Sequence, residues 1–276
     1  MELRDRHIVL TGAASGIGRA LAARFAAEEP RALVLSDLDG SGLDEVAAGV
    51  GALAAGQGAL AVRADVGAAG EVERLIGAAE AAHGPIDVFF SNAGIGGPEG
   101  LAEVGDEEWE RIWQVNVMAH VRAARVLAPA MAARGEGYLV STASAAGLLT
   151  QVSAAPYSVT KHAAVALAEW VAVNYGDAGV RVSCLCPQAV QTPLLERAVA
   201  SDPVGAVPLL AGGVLSPEEV ACAVVEGMRE ERFLILPHPV VGEYLALKGT
   251  QPERWLGGMR KLLREARAQV EGQPGS

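Results

Sequence analysis

Disulfide bonds cannot organise this chain. Its three cysteines, Cys184, Cys186 and Cys222, are too few and too unevenly spaced for a disulfide framework. Cys184 and Cys186 alternate with Ser183 and Leu185 in a strand-like run, which puts both thiols on one strand face as a buried pair. Without a second pair of ligands they make no metal site. Lysine is equally scarce, with only Lys161, Lys248 and Lys261, and no block of basic residues occurs. The 33 acids against 22 Lys and Arg give a formal net charge of −11. Such a chain repels phosphate backbones and anionic lipid, which argues against nucleic acid and membrane surfaces as partners. No apolar run reaches the ~18 residues of a membrane span. The start, Met1-Glu2-Leu3-Arg4-Asp5-Arg6, carries acids, runs straight into an apolar strand and lacks the layout of a signal peptide. Together these absences point to a reducing, cytoplasmic compartment.

What is present is apolar. Hydrophobic residues make up 51% of the chain and charged ones 20%, enough to build a core and too little charge for disorder. Short apolar runs at 7–11, 32–36, 59–63, 86–91, 137–142, 180–184 and 233–236 read as strands. Most are continuous, as strands are when both faces of a parallel sheet are covered. Helix-period segments lie between them, such as Ile17, Leu21 and Phe25, or Val72, Leu75 and Ile76. Ser216-Pro217-Glu218-Glu219 is a complete helix start. This alternation predicts an α/β fold, a single doubly wound Rossmann-type domain over residues 1–276 with about seven parallel strands. The segment 188–215 reads as a loop-like, mobile lid over a substrate, and 269–276 as a fraying tail.

Directly after the first strand stands Thr11-Gly12-Ala13-Ala14-Ser15-Gly16-Ile17-Gly18. Glycines at a strand-to-helix junction let the backbone turn tightly and approach a ligand, while the helix offers free N–H groups to a pyrophosphate. Asp37 ends the second strand about 20 residues on, where an acid accepts hydrogen bonds from adenosine ribose hydroxyls. An ordinary turn in Ser36-Asp37-Leu38-Asp39-Gly40 competes with that reading, and Asp39 fits the turn better.

Tyr157-Ser158-Val159-Thr160-Lys161 carries the chemistry. In a helix Tyr157 and Lys161 share one face. A phenol near pKa 10 is a poor base at neutral pH, and a nearby ammonium is expected to lower it, so that the phenol can exchange a proton with an alcohol or ketone. Lys161 is the only lysine among the first 247 residues, every other basic position there being arginine. A compact ammonium is not interchangeable with a guanidinium. Upstream, Ser144 follows a strand at the sheet's carboxyl edge, where it can donate a hydrogen bond to a substrate oxygen.

Over residues 6–233 these motifs resemble the short-chain dehydrogenase/reductase family, in its compact branch. The glycine loop, Asp65-Val66, Asn92-Ala93-Gly94, Asn116, Ser144, Tyr157 and Lys161 all match family positions. Ser91 stands where a second asparagine is common, and Gln188 where glycine usually follows Pro187. The resemblance implies that Ser144 orients the substrate oxygen, Tyr157 transfers the proton and Asn116 holds a relay water. Lys161 would bind the nicotinamide ribose and lower the tyrosine pKa. The cofactor is then NAD. It would lie against Gly12, Ser15, Gly16, Ile17, Gly18, Asp37, Asp65, Val66, Asn92, Ala93, Gly94, Tyr157, Lys161, Pro187 and Thr192. The family also implies a homodimer or homotetramer built on the helices carrying Trp113 and Tyr157.

Two other readings compete. The extended branch of the superfamily, with its sugar-nucleotide epimerases and dehydratases, uses Gly-x-x-Gly-x-x-Gly, unlike the Gly12-x-x-x-Gly16-x-Gly18 found here. A silent nucleotide sensor usually lacks the tyrosine or the lysine, and both are present. The partner is thus a small-molecule alcohol or ketone. Leu148, Gln151, Gln188 and Leu194, with Leu149, Val152, Leu195, Val207, Leu209 and Leu210 nearby, suggest a lipophilic one. His162 reads as a helix-surface residue and His238 as part of a turn. Trp109, Trp113 and Trp170 read as core or subunit contacts.

Overall fold

In a computed structural model describing residues 1–51 and 58–272, strands and helices alternate as the apolar periodicity demands. The strands are β1 (His7–Thr11), β2 (Ala32–Asp37), β3 (Leu60–Arg63), β4 (Val88–Ser91), β5 (Gly137–Thr142), β6 (Val180–Leu185) and β7 (Leu234–Ile235). They form one parallel sheet in the order β3-β2-β1-β4-β5-β6-β7. All seven expected strands are present, their ends displaced by at most one or two residues. The helices are α1 (Gly16–Ala26), α2 (Gly40–Gly49), α3 (Glu71–His83), α4 (Asp106–Trp113), α5 (Ala119–Arg134) and α6 (Ala146–Leu149). They continue with α7 (Ala155–Tyr175), α8 (Pro193–Ser201), α9 (Pro203–Leu210), α10 (Pro217–Arg229), α11 (Val240–Thr250) and α12 (Pro252–Glu271).

Alternation along a strand explains why the strands are apolar throughout. Ile8 and Leu10 of β1 join the core beneath α1, α2 and α10, with Leu21, Phe25, Leu43, Val220 and Val224. Val9, between them, joins the core beneath α3, α5 and α7, with Leu75, Leu127 and Val165. A residue on either sheet face is therefore buried, and none of β1 can be polar without a partner. The chain builds β1, β2 and β3 outward, then returns to lay β4 on the other side of β1. At that switch point the loops leaving β1 and β4 diverge, and a crevice opens at the carboxyl edge.

Two expectations needed correction. The segment 188–215 is not a loop: it holds α8 and α9, closed by a bridge between Val190 and Leu215. Pro193 and Pro203 open helices whose N-caps are filled, Thr192 accepting from Leu195 N (3.2 Å) and Asp202 from Gly205 N (2.6 Å). The expected tail begins inside α12, which runs to Glu271; residues 273–276 lie outside the described residues. Of the two alternatives for the tryptophans, core or subunit contact, the exposure of Trp113 on α4 and Trp170 on α7 leaves the second. The helix start at Ser216 holds in full: Glu219 N donates to Ser216 Oγ (3.1 Å) and Ser216 N to Glu219 Oε2 (2.7 Å).

Candidate active site

The crevice at the switch point is a cleft of about 400 Å³. Its dinucleotide end is built around three glycines. Gly12 and Gly16 have φ of +67° and +52°, where a side chain is strained. A Cβ on Gly12 would come 2.8 Å from Ala93 Cα, and one on Gly18 would overlap the Gly12 carbonyl oxygen. The loop thus packs backbone on backbone, which leaves an open cradle at the start of α1. That helix start is free: Ser15 makes no side-chain cap bond and no acid lies in the first turn. Its N–H groups and positive dipole end therefore face the cleft without a protein counter-charge, which fits a diphosphate. Gly18→Ala should cost about 1–3 kcal/mol through overpacking. It should also weaken NADH binding at least ~10-fold, checked by fluorescence titration beside a thermal melt.

Side chains fix the mouth of this cradle. Thr11 Oγ1 accepts from the backbone N–H groups of Asn92 (3.0 Å) and Ala93 (3.1 Å). Asn92 Nδ2 donates to the Thr11 and Gly12 carbonyls, both at 3.1 Å, and its Oδ1 accepts from Thr142 Oγ1 at 3.0 Å. The ends of β1, β4 and β5 are thereby tied into one rim. Asp37 lines the cleft and accepts from Ala14 N (2.9 Å) and Asp39 N (3.1 Å), which holds its carboxylate at the far wall. Asp65 Oδ1 accepts from Gly67 N (3.0 Å), while the buried Arg122 donates to the Val66 and Gly67 carbonyls, both at 3.2 Å.

The inner end is formed by β5, α6 and α7. Ser144 leaves β5, accepts from Ala146 N (3.1 Å) and lies beside the Tyr157 hydroxyl. Lys161, one turn after Tyr157, is buried; its Nζ donates to the Thr142 carbonyl at 3.0 Å and stands 5.6 Å from the Tyr157 ring centre. Asn116 sits in a π-helical turn, Gln114–Met118, between α4 and α5. Such bulges often mark functional sites, because the extra residue re-aims a side chain. Asn116 Oδ1 accepts from Ile95 N (2.9 Å), and Nδ2 donates to the Ile95 carbonyl (3.0 Å) and Thr160 Oγ1 (3.2 Å). Both amide hydrogens are used within the protein, so Asn116 fixes the Gly94–Ile95 loop that follows β4, and any water it holds must donate to it.

The proton affinities follow burial more than charge. Burial pushes the Tyr157 phenol above its ordinary value, with hydrogen bonding to Ser144 acting the other way. The expected lowering by Lys161 is not seen, because desolvation outweighs an ammonium aimed at the Thr142 carbonyl. Lys161 itself is pushed down from 10.5 to about 8 by burial. Its ammonium therefore costs stability below pH ~8, on the order of 3 kcal/mol by linkage. That cost shrinks as pH rises and vanishes above 10.5, where the unfolded chain has also lost the proton. Lys161→Met should abolish turnover yet raise Tm by several degrees at pH 7, with the gain fading toward pH 10.5. Calorimetric melts across that range check it.

Of the residues expected at the site, Gly12, Ser15, Gly16, Ile17, Gly18, Asp37, Asp65, Val66, Asn92, Ala93, Gly94, Ser144, Gln151, Tyr157, Lys161, Pro187, Gln188, Thr192 and Leu194 line this one cleft. Asn116 stands just behind it. Leu148 does not line it: α6 turns Leu148 and Leu149 into the core beneath α5 and α7, and only the Leu148 carbonyl is used, by Lys248 Nζ at 2.6 Å. Leu195 and Leu209 line the cleft, whereas Val152, Val207 and Leu210 do not. Gln188 keeps the backbone path open to the cleft. Its N–H donates to His238 Nδ1 (3.2 Å), and its buried Oε1 lies where a Cβ on Gly212 would be. His162 is held between Ser158 O (2.8 Å) and Lys248 Nζ (3.3 Å). Thr142 and Arg122 went unread, since neither belongs to a motif and each acts only through the neighbours that the fold supplies. No group of three or more His, Cys, Asp or Glu suited to a metal occurs among the described residues.

Comparison with known proteins agrees with this geometry. Residues 6–202 match the family model for short chain dehydrogenases. The chain is 40% identical over 240 residues to a 1-deoxy-11-beta-hydroxypentalenate dehydrogenase of Streptomyces exfoliatus, covering 85% of this chain and 84% of that one. Among solved structures, a short chain dehydrogenase/reductase from Burkholderia phymatum in complex with NAD superposes with a TM-score of 0.81 at 32% identity, covering 92% of this chain and 96% of the other. A short-chain dehydrogenase from Sphingobium yanoikuyae in complex with NADPH gives a TM-score of 0.76 at 26% identity, covering 89% and 93%. The chain belongs to the short-chain dehydrogenase/reductase family, and its reaction is hydride transfer between a nicotinamide dinucleotide and an alcohol or ketone.

Proposed function

We propose that this protein uses NAD in preference to NADP and acts on a lipophilic secondary alcohol or ketone, with Tyr157 as acid and base. The observation that carries the reading is the Tyr157 hydroxyl, beside Ser144 and one turn from Lys161, in the same cleft as the glycine cradle and Asp37. When bound, the nicotinamide ring supplies the hydride donor or acceptor. The protein's own residues do the rest. Tyr157 takes the alcohol's proton on oxidation and returns it to the carbonyl oxygen on reduction. Burial keeps the phenol protonated near neutrality, which favours reduction there and makes oxidation climb with pH. Ser144 donates to the substrate oxygen as charge gathers on it. Lys161 holds the ribose hydroxyls and supplies positive charge at the inner end, while Asp37 holds the adenosine ribose.

Ala154, Leu194, Leu195 and Leu209 wall the inner cleft and suit an alicyclic or aromatic body. The whole described chain works as one unit, with α8 and α9 closing over the substrate. Two copies pair through α4, α5 and α7, whose Trp113, Val126, Val159, Trp170 and Val173 stand exposed, Val173 at 81%. Sedimentation at equilibrium checks that pairing. Three unbridged cysteines suit a cytoplasmic setting. A panel of secondary alcohols followed by NADH absorbance tests the substrate class. Alicyclic alcohols should show the higher kcat/KM, and a preference for polyols contradicts the reading. Tight NADH binding without turnover of any compound would point to a sensor instead.

A further inference from the structure

The substrate end of the cleft contains a cation that the reaction described above does not use. Arg197 lies on α8 with Leu194 and Ala198, three residues after one and one before the other, so the three share the helix face that lines the cleft. Arg197 has no hydrogen bond or ion pair among the described residues. Many of the chain's other arginines are engaged, as Arg19 is with Glu45, Arg31 with Asp87 and Arg74 with Glu71. The surroundings are one-sided as well. In a chain with 33 acids and a net charge of −11, the only carboxylates lining the cleft among the described residues are Asp37 and Asp65. Both belong to its dinucleotide end. The inner wall offers Gln151 and Gln188 as polar groups, apolar residues, and Arg197.

A guanidinium in an acid-free, mostly apolar wall is a receptor for a planar anion. Its fork matches a carboxylate with two parallel hydrogen bonds, and its exposed place on the cleft wall leaves it open to an incoming anion. The diphosphate has its own receptor in the glycine loop and the start of α1, which Thr192 touches through Gly16. Arg197 lies five residues farther along α8, about 7 Å at 1.5 Å per residue, on the way to the Leu209 wall.

We propose that Arg197 is an anion subsite, and that the substrate is a lipophilic hydroxy or keto acid whose carboxylate it holds while the carbinol lies at Tyr157. This rests on the oxidoreductase reading of the cleft and adds the substrate's charge to it. The probes are hydroxycyclohexanecarboxylate, its methyl ester and cyclohexanol. The unmodified enzyme should oxidise the acid with a higher kcat/KM than the ester. Arg197→Gln should lower kcat/KM for the acid on the order of 5- to 10-fold, chiefly through KM, and leave the ester and cyclohexanol unchanged. Arg197→Lys should restore part of the loss. Calorimetric titration of cyclohexanecarboxylate into the NADH complex gives a readout free of turnover: the acid binds the unmodified protein and not Arg197→Gln.

Equal loss on acid and ester would overturn the proposal, as would a raised KM for NAD with every substrate, which would assign Arg197 to the dinucleotide phosphates. Turnover of cyclohexanol with no preference for the acid sinks the subsite alone. Absence of turnover with all three, with the carboxylate still binding through Arg197, sinks the oxidoreductase reading and leaves the subsite standing.

Discussion

Replacing Tyr157 with phenylalanine should lower kcat by at least ~100-fold and leave the NADH dissociation constant nearly unchanged. The two halves of that result come from different parts of the cleft. In the proposed reading NADH is held chiefly by the glycine cradle, the free start of α1 and Asp37, none of which touches the phenol oxygen. The ring remains in phenylalanine, so the packing of α7 is kept. What is lost is one oxygen that exchanges a proton with the substrate, and general acid–base catalysis by a placed side chain is worth about 100- to 10,000-fold. The pH dependence supplies a second signature. Burial raises the phenol's pKa, so oxidation by the unmodified enzyme should accelerate as pH rises above neutrality. That rising limb should disappear in Tyr157→Phe. Steady-state rates in both directions with a stopped-flow NADH titration check all of this, and near-normal turnover would remove Tyr157 from its role. Lys161→Arg should also be severely impaired despite its kept charge, because a planar guanidinium does not fit the buried space behind Gly94.

The second large effect lies at the other end of the cleft. The enzyme should prefer NAD to NADP by on the order of 100-fold or more in kcat/KM. A 2′-phosphate would meet the Asp37 carboxylate, which two backbone N–H groups hold in place and keep from swinging away. Each hydrogen bond from a ribose hydroxyl to that carboxylate contributes about 1.5–3 kcal/mol, and about 1.4 kcal/mol is a factor of ten. The two arginines that could act as counter-charges, Arg19 and Arg63, are engaged with other groups. Arg19 is paired with Glu45 at 2.6 Å, and Arg63 donates through Nε to the Leu38 carbonyl at 3.1 Å. Asp37→Ser should shrink the ratio and Asp37→Arg should invert it. Because Asp37 also accepts from Ala14 N, Asp37→Asn keeps an acceptor for the loop while removing the charge, at the loss of the Asp39 N–H bond to the other oxygen. Rates with both dinucleotides at equal concentration decide it; equal use of NADP by the unmodified enzyme would end the claim.

The features legible in the sequence were those whose signal is local. The strands could be read because burial on both faces leaves no room for polar alternation, as Ile8, Val9 and Leu10 show by serving opposite cores. The helix at Ser216 could be read because a capping box lies within four residues. The glycine loop and the Tyr157–Lys161 pair are likewise contiguous. What depended on the assembled fold stayed hidden. The segment 188–215 read as a loop because the caps of α8 and α9, Thr192 and Asp202, carry no weight until the chain turns there. Leu148 read as pocket wall because only the packing of α6 on α7 shows which way it points. The tyrosine's proton affinity was read with the wrong sign. Sequence spacing reveals the neighbouring charge, but not the burial that outweighs it. Arg197 had no motif to betray it, since its meaning lies in the carboxylates that are missing around it.

One measurement tests hydride transfer itself. Cyclohexanol carrying deuterium at the carbinol carbon is turned over with unlabelled NAD, and the reduced dinucleotide is isolated and weighed. The label should arrive on the nicotinamide ring, making the product one mass unit heavier, and Tyr157→Phe should slow its arrival without changing where it goes. Cyclohexanone formed beside an unlabelled dinucleotide, with the deuterium lost to solvent, would contradict direct transfer in this cleft.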